Sequence, residues 1–160
     1  MPLDTRKYML FNLLTDTGIT MENSSRIWIA EDDRSLRWVM EKALTRAGIG
    51  VRCFERGDHL LAALTQARPT VIISDVRMPG TDGLALLKRV EANFPEIPII
   101  ITTAHSDLDS AVSAYQGGAF EYLPKPFDIE ELIAVAKRAI AISKEKKGII
   151  VETIAASKEI

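Results

Sequence analysis

Short apolar runs alternate along the chain with longer stretches in which apolar residues recur at helical spacing. The runs predict five strands, at residues 27–30, 51–54, 71–75, 97–101 and 119–123. Between them, apolar residues recur every three or four positions, as on one face of a helix; the first such stripe is Leu36, Val39, Met40, Ala43, Leu44 and Ala47. Strands that alternate with helices predict an α/β fold, in which helices cover both faces of a parallel sheet.

The alternating pattern is limited to residues 26–143, which we predict to form one domain of five strands and five helices. Residues 1–25 have no persistent period, and we expect a poorly ordered leader or tag there. A charged run that ends in a glycine, residues 144–148, is expected to break the last helix, so that residues 144–160 form a linker or tail. In the fourth helix, one stripe predicts the side that packs against the core: Leu108, Ala111, Val112 and Tyr115.

Composition limits the classes of function. The net charge of −2 gives no overall basic field, so we expect no direct nucleic-acid binding by this segment. No apolar run approaches the roughly 20 residues that span a bilayer, which predicts no membrane insertion and a cytoplasmic location. The single cysteine, Cys53, cannot form an intramolecular disulfide, and we interpret it as a small apolar side chain in the second strand.

Polar residues follow four of the five predicted strands. In open α/β sheets, binding sites form beyond the carboxyl ends of the strands, at the point where the strand order reverses. The side chains that we expect at that edge are three acids after the first strand, one acid at the end of the third, a hydroxyl after the fourth and an ammonium after the fifth: Glu31, Asp32, Asp33, Asp75, Thr103 and Lys125.

This set of side chains points to metal and phosphoryl chemistry. Neighbouring carboxylates repel one another unless a cation neutralises them, and carboxylate oxygens suit Mg²⁺. A carboxylate such as Asp75 can act as a nucleophile and become an aspartyl phosphate. Lys125 would neutralise charge on the transferring group, and Thr103 could donate a hydrogen bond to it. For Asp33, a role as helix N-cap and a role as metal ligand both remain open.

Four segments carry a resemblance to a known family: Asp32-Asp33, residues 74–83 (SDVRMPGTDG), Thr102-Thr103-Ala104, and residues 124–127 (PKPF). They resemble the motifs of response-regulator receiver domains of two-component systems. Within that family the chain resembles the receivers of NtrC-type regulators, in residues 35–39, 83–88, 103–109 and 118–128. The resemblance implies a flavodoxin-like, doubly wound parallel sheet with strand order 2-1-3-4-5 and five helices.

The resemblance also implies roles for the acidic residues. Asp75 matches the phospho-accepting aspartate. Glu31 and Asp32 match the acidic pair that binds Mg²⁺, with Asp75 and the backbone carbonyl of Arg77 as further ligands. Counting from the first strand favours Glu31 and Asp32 over Asp32 and Asp33 as that pair, so Asp33 is the alternative ligand.

The resemblance also implies which residues change conformation when Asp75 is phosphorylated. Thr103 matches the hydroxyl that turns toward the phosphoryl group, and Tyr122 matches the aromatic residue that follows it. Lys125 matches the family lysine, usually next to a cis peptide before Pro126. We expect the moving surface to include the fourth helix and fifth strand, with three residues as its signalling face: Leu108, Val112 and Tyr115.

The partners that the resemblance implies lie largely outside this segment. A sensor histidine kinase would donate the phosphoryl group, and an output domain of the NtrC type, with ATPase and DNA-binding functions, would read it in transcription regulation. No G-x-x-x-x-G-K-[ST] loop or helix-turn-helix pattern follows residue 143, so neither output function is assigned to these residues. A phosphorylation-linked dimer is a further expectation. The segment would not be an enzyme, beyond catalysing its own phosphorylation and slow dephosphorylation.

Two other classes of function are alternatives. A phosphatase-like hydrolase could use Asp75 as its nucleophile, but such folds usually place a second aspartate two residues later, where this chain has Arg77. A degenerate receiver that only binds partners would lack the acidic pair, the acceptor or the lysine, and this chain has all of them.

Overall fold

The structure, a computed structural model, describes residues 26–104 and 108–158. Its centre is a parallel sheet of five strands: β1 (Ile27–Ala30), β2 (Val51–Phe54), β3 (Val71–Asp75), β4 (Ile99–Thr103) and β5 (Glu121–Pro124). The strand order is β2-β1-β3-β4-β5. This confirms the predicted order, and the reversal lies between β1 and β3.

Five helices follow the strands in turn: α1 (Arg34–Arg46), α2 (Gly57–Ala63), α3 (Gly83–Asn93), α4 (Leu108–Gln116) and α5 (Ile129–Lys158). Successive side chains of a strand point to opposite faces, so the sheet has one core on each side. In β1, Ile27 and Ile29 pack with residues of α1 and α5, whereas Trp28 and Ala30 pack with residues of α2, α3 and α4. The predicted flavodoxin-like architecture is confirmed.

The last helix is longer than predicted. The expected break at residues 144–148 is wrong, because α5 continues through Gly148 to Lys158. Lysine and glutamate are strong helix formers, and a single glycine costs only about 1 kcal/mol relative to alanine, which a long helix tolerates. That residues 144–160 act as a linker stays a prediction, and the expected leader at residues 1–25 lies outside the described residues.

In α4, the side that faces the core differs from the prediction. Ala111 and Ala114 are buried, whereas Val112 is 49% exposed and Tyr115 is 60% exposed. The small alanines allow the helix backbone to approach the sheet, so the larger apolar residues project away from it. The predicted core stripe is therefore wrong for Val112 and Tyr115, and the side chain of Leu108 lies outside the described residues.

Length and apolarity together rule out a bilayer-crossing helix anywhere in the part of the chain that the structure describes. Cys53 has its side chain half-buried against the core that α1 and α5 cover, and burial raises the pKa of its thiol to about 11. The thiol therefore stays protonated near neutral pH and behaves as the small apolar side chain that was predicted.

Candidate functional site

The register of the sheet brings the ends of four strands together. Asp75, the last residue of β3, is opposite Thr102 of β4, and Thr103 is opposite Pro124 of β5. Ala30 of β1 is opposite Ser74, so the next residue, Glu31, emerges level with Asp75. Strand pairing therefore places these groups at one edge of the sheet.

Three carboxylates form a cluster at this edge. Glu31, Asp32 and Asp75 each present an oxygen that lies within 4.8 Å of the other two. Glu31 is 1% exposed and Asp75 is 8% exposed, whereas Asp32 faces solvent. The Lys125 ammonium contacts both buried acids, at 3.1 Å from Glu31 Oε1 and 3.2 Å from Asp75 Oδ2.

Burial sets the protonation behaviour of this cluster. It raises the pKa of Glu31 and of Asp75, because charged carboxylates lose hydration there, and the ammonium of Lys125 offsets only part of that effect. Burial also disfavours the charge on Lys125, but the two carboxylates outweigh it and raise the pKa of the lysine. The lysine therefore stays charged near neutral pH.

This donor set fits a divalent cation. Three carboxylates supply hard oxygen ligands, and burial raises the pKa values of Glu31 and Asp75, so a bound cation would favour their charged forms. Mg²⁺ prefers a few carboxylate oxygens together with waters and phosphate oxygens. The side chains present therefore match the chemistry of a magnesium site, and Arg77, two residues after Asp75, follows directly in the loop.

Asp33 has a structural role in this arrangement. Its carboxylate accepts a hydrogen bond from the backbone N–H of Leu36 at 3.0 Å and caps the N-terminus of α1. Its own backbone N–H donates to Glu31 Oε2 at 3.0 Å. Asp33 is not part of the three-carboxylate cluster, so the capping role is the one that the geometry supports.

The predicted switch residues lie on β4 and β5: Thr103 follows Thr102, which is opposite Asp75, and Tyr122 is opposite Ile101. The Oγ1 atoms of Thr103 and Thr102 are buried and have no hydrogen-bond partner within the described ranges. Tyr122 is half-buried, and its ring lies 6.5 Å from the ring of Tyr115, centroid to centroid. The peptide bond between Lys125 and Pro126 is cis, as the resemblance implied. Thr103 therefore has a hydroxyl available to a ligand, and Tyr122 contacts the exposed side of α4.

Two contributors to the site were not predicted. The guanidinium of Arg37 donates to the backbone carbonyl of Glu31 at 2.8 Å. Gly83, the first residue of α3, lies so close to β3 that a Cβ atom there would collide with the backbone of Asp75. The signal for Arg37 was its place in the first turn of α1, because helical side chains lean toward the N-terminus. Nothing in the local pattern distinguished Gly83 from an ordinary turn glycine.

The chain matches a known protein family. The family model of the response regulator receiver domain matches residues 27–137, more than half of the chain. The chain belongs to this family. Receiver domains are the phosphorylation-controlled modules of two-component response regulators, which agrees with the resemblance found in the sequence.

Relatives of this receiver domain include NtrC-type regulators. The chain is 58% identical over 120 residues to the DNA-binding transcriptional regulator NtrC of Klebsiella pneumoniae; the match covers 75% of this chain and 26% of the relative. It is 55% identical over 121 residues to NtrC of Escherichia coli K12, again over 26% of that protein. The chain thus spans about a quarter of the length of the curated relatives it matches.

Among solved structures, the apo form of the NtrC receiver domain superposes with a TM-score of 0.67 at 57% identity, covering 73% of this chain and 94% of that one. This receiver domain is therefore similar to NtrC in both sequence and fold.

Proposed function

We propose that Asp75 accepts a phosphoryl group from a sensor histidine kinase and that the resulting aspartyl phosphate switches this receiver domain. The observation that carries the proposal is the cluster itself: a carboxylate at the end of β3 lies beside two other acids and a lysine, at the point where the strand order reverses. The match to the receiver family makes this chemistry the one that the cluster fits best.

The transfer step uses groups that lie at the sheet edge. An oxygen of Asp75 attacks the phosphorus of a phosphohistidine, the P–N bond breaks, and its electron pair leaves with the imidazole. Lys125, 3.2 Å from Asp75 Oδ2, would neutralise charge on the transferring group. The unpartnered hydroxyl of Thr103 would donate to a phosphoryl oxygen of the product. Hydrolysis of the acyl phosphate would reset the domain.

We assign Mg²⁺ to the acidic cluster. Glu31, Asp32 and Asp75 would hold it through carboxylate oxygens, and the backbone carbonyl of Arg77 would complete the protein ligands. When bound, Mg²⁺ supplies positive charge that stabilises the phosphoryl oxygens during transfer. The chain contributes a preformed Glu31, whose two carboxylate oxygens accept from Lys125 and from the Asp33 backbone.

The switched surface would be the exposed side of α4 together with β5. Val112 and Tyr115 are already exposed, and Tyr115 contacts Tyr122. A rearrangement at Thr103 and Tyr122 would thus change a surface that a partner can read. The side chain of Leu108, the third residue predicted for this surface, lies outside the described residues.

The output is inferred from relatives. The curated relatives are DNA-binding transcriptional regulators, so we propose that this domain controls an output domain of the NtrC type, with ATPase and DNA-binding functions. We also propose a cytoplasmic location, where the kinase domain would meet it, and a dimer that phosphorylation promotes.

The proposal is tested by incubating the protein with Mg²⁺ and acetyl phosphate and measuring intact mass. Wild type should gain one acid-labile phosphoryl group, because acetyl phosphate can replace the kinase as donor. Asp75→Asn should gain none, whereas Asp128→Asn, which changes an exposed aspartate just before α5, should behave as wild type.

Three outcomes distinguish the classes of function. Absence of a wild-type adduct, or the same adduct on Asp75→Asn, would contradict the proposal. Sustained turnover of phosphate esters would favour the hydrolase alternative instead. The beryllofluoride-activated form has been solved for the NtrC receiver, at 57% identity to this chain, so the same mimic is a suitable second probe here.

A further inference from the structure

The backbone around the acidic pair is held from several sides. The backbone N–H of Glu31 donates to the carbonyl of Phe54 in β2 at 3.0 Å. Its carbonyl accepts from Nη1 of Arg37 at 2.8 Å. That carbonyl belongs to the peptide that joins Glu31 to Asp32, so the guanidinium fixes the orientation of the peptide from which Asp32 extends.

Asp32 depends on this peptide more than Glu31 does. The carboxylate of Glu31 is buried and is held by Lys125 and by the Asp33 backbone. Asp32 is exposed, and no hydrogen bond to its carboxylate is present in the described parts of the chain. Its position in the cluster is therefore determined mainly by the backbone, which the Glu31 carboxylate restrains at the Asp33 N–H and the Arg37 guanidinium restrains at the Glu31 carbonyl.

Two contacts hold the guanidinium of Arg37 beside the Glu31 carbonyl. Its side chain is only 15% exposed, and its second contact is with Glu55, at 3.6 Å. Glu55 is 74% exposed, so the ion pair contributes little by itself, and the shorter bond to the Glu31 carbonyl is the stronger restraint. A planar guanidinium can make both contacts at once.

We infer that Arg37 is a positioning residue for divalent-cation binding, because it orients the Glu31–Asp32 peptide and through it the Asp32 carboxylate. The inference rests on the proposed function, since it concerns the metal site of the phosphoryl acceptor. Groups that orient metal ligands typically change metal affinity by about 10- to 100-fold when they are removed.

A simple charge effect predicts the opposite sign. Arg37 is a cation near three carboxylates, so its loss would strengthen the attraction of the cluster for Mg²⁺ if charge were its only influence. If Arg37 orients Asp32, its loss weakens Mg²⁺ binding despite the removal of a positive charge. The direction of the change therefore separates the two roles.

The experiment measures the Mg²⁺ dissociation constant by isothermal titration calorimetry at pH 8, without any phosphoryl donor. We expect Arg37→Met to bind Mg²⁺ about tenfold more weakly than wild type. Arg37→Lys keeps the positive charge but lacks the planar, forked guanidinium, so its Mg²⁺ affinity should lie between those of wild type and Arg37→Met. Because the charge is unchanged, its weaker binding cannot be a charge effect. Circular dichroism melting curves verify that both variants are folded.

Two control variants complete the design. Arg34→Met removes an exposed cation from the same turn of α1, and should bind Mg²⁺ as tightly as wild type or more tightly. Glu55→Gln removes the exposed partner of Arg37 and should leave the affinity nearly unchanged.

If Arg37→Met or, where that variant does not fold, Arg37→Lys binds as tightly as wild type, the inference is overturned while the proposed function stands. A wild type that does not bind Mg²⁺ overturns the inference together with the metal assignment of the proposed function.

Discussion

Glu31 and Asp75 are buried acids, and burial makes their charged forms less favourable than they are in water. Their pKa values are raised by burial, and Lys125 offsets that effect only in part. The folded protein therefore holds protons that the unfolded chain has released, in the pH interval between the unfolded and folded pKa values. Stability contributed by these groups falls as the pH rises through that interval, and remains low above it.

This linkage predicts that Asp75→Asn stabilises the metal-free protein. At pH 8 the variant avoids a buried negative charge, and its free energy of unfolding should exceed that of wild type by on the order of 1 kcal/mol. The difference should shrink as the pH falls toward about 3, below the ordinary pKa of an aspartate, where the wild-type acid is mostly protonated in both states. Urea unfolding at several pH values, with EDTA present, measures it.

Adding Mg²⁺ should reverse the order of stability, because the ion binds the folded wild type and stabilises it by mass action. Asp75→Asn lacks one ligand and should gain less. If Asp75→Asn is less stable than wild type at pH 8 in EDTA, Lys125 compensates the buried charge of Asp75 fully, and the account of this carboxylate is contradicted.

Single residues were predicted well where a strand places them. Asp75, Thr103 and Lys125 could be assigned to one edge because parallel strands end together, and the sheet register bears this out. Arg37 was missed because its place in the first turn of α1 is compatible with several partners, and the sequence does not show that a backbone carbonyl is the one it contacts. Asp33 remained ambiguous because capping and metal binding require the same side chain, and only the hydrogen bond to Leu36 distinguishes them.

At the scale of elements, the position of α3 depends on Gly83. This residue donates its backbone N–H to the Val76 carbonyl at 2.8 Å, and its Cα packs against the backbone of Asp75 and Val76. The adjacent Asp82 caps the helix by accepting from the backbone N–H of Ala85 at 2.8 Å. The start of α3 is thus held against the residue that we propose as the phosphoryl acceptor.

Gly83→Ala is therefore expected to damage both stability and the site. The added Cβ collides with backbone that cannot rotate away, so α3 must shift, at a cost of roughly 1–3 kcal/mol in the free energy of unfolding. Acetyl phosphate labelling should slow as well, because Asp75 moves with the strand end. Thermal unfolding and the rate of adduct formation measure the two effects.

Gly48→Ala is the matched control for that variant. Gly48 has a φ of 85° and open space around its Cα, so alanine there costs conformational energy without a collision. It should destabilise the domain while leaving the labelling rate of the folded protein unchanged. Equal labelling rates for Gly83→Ala and wild type would contradict the positional role of Gly83.

The helices α4 and α5 show where the sequence pattern led to a wrong prediction. A nine-residue helix such as α4 has apolar residues on adjacent sides, and the pattern does not tell which side the sheet covers. The sheet covers the side with Ala111 and Ala114, and the larger side chains remain exposed. In α5, glycine was overvalued as a breaker, because one unfavourable residue does not end a helix of strong helix formers.

For the molecule as a whole, fold class and strand order followed from the sequence. The alternation of strands and helices predicted the parallel sheet, and the family resemblance supplied the order that the structure has. Distances within the acidic cluster could not be predicted, because they depend on sheet register and on Lys125 reaching two acids from β5. We propose that the domain accepts a phosphoryl signal and presents its partner surface on α4 and β5.

The most direct test of the central claim identifies the labelled residue. Protein phosphorylated with acetyl phosphate and Mg²⁺ is reduced with borohydride, which converts an aspartyl phosphate into homoserine, and peptides are then sequenced by mass spectrometry. We predict homoserine at position 75 and unmodified Glu31 and Asp32. Homoserine at another aspartate, or none at position 75 despite a phosphoryl adduct on the intact protein, would contradict the account.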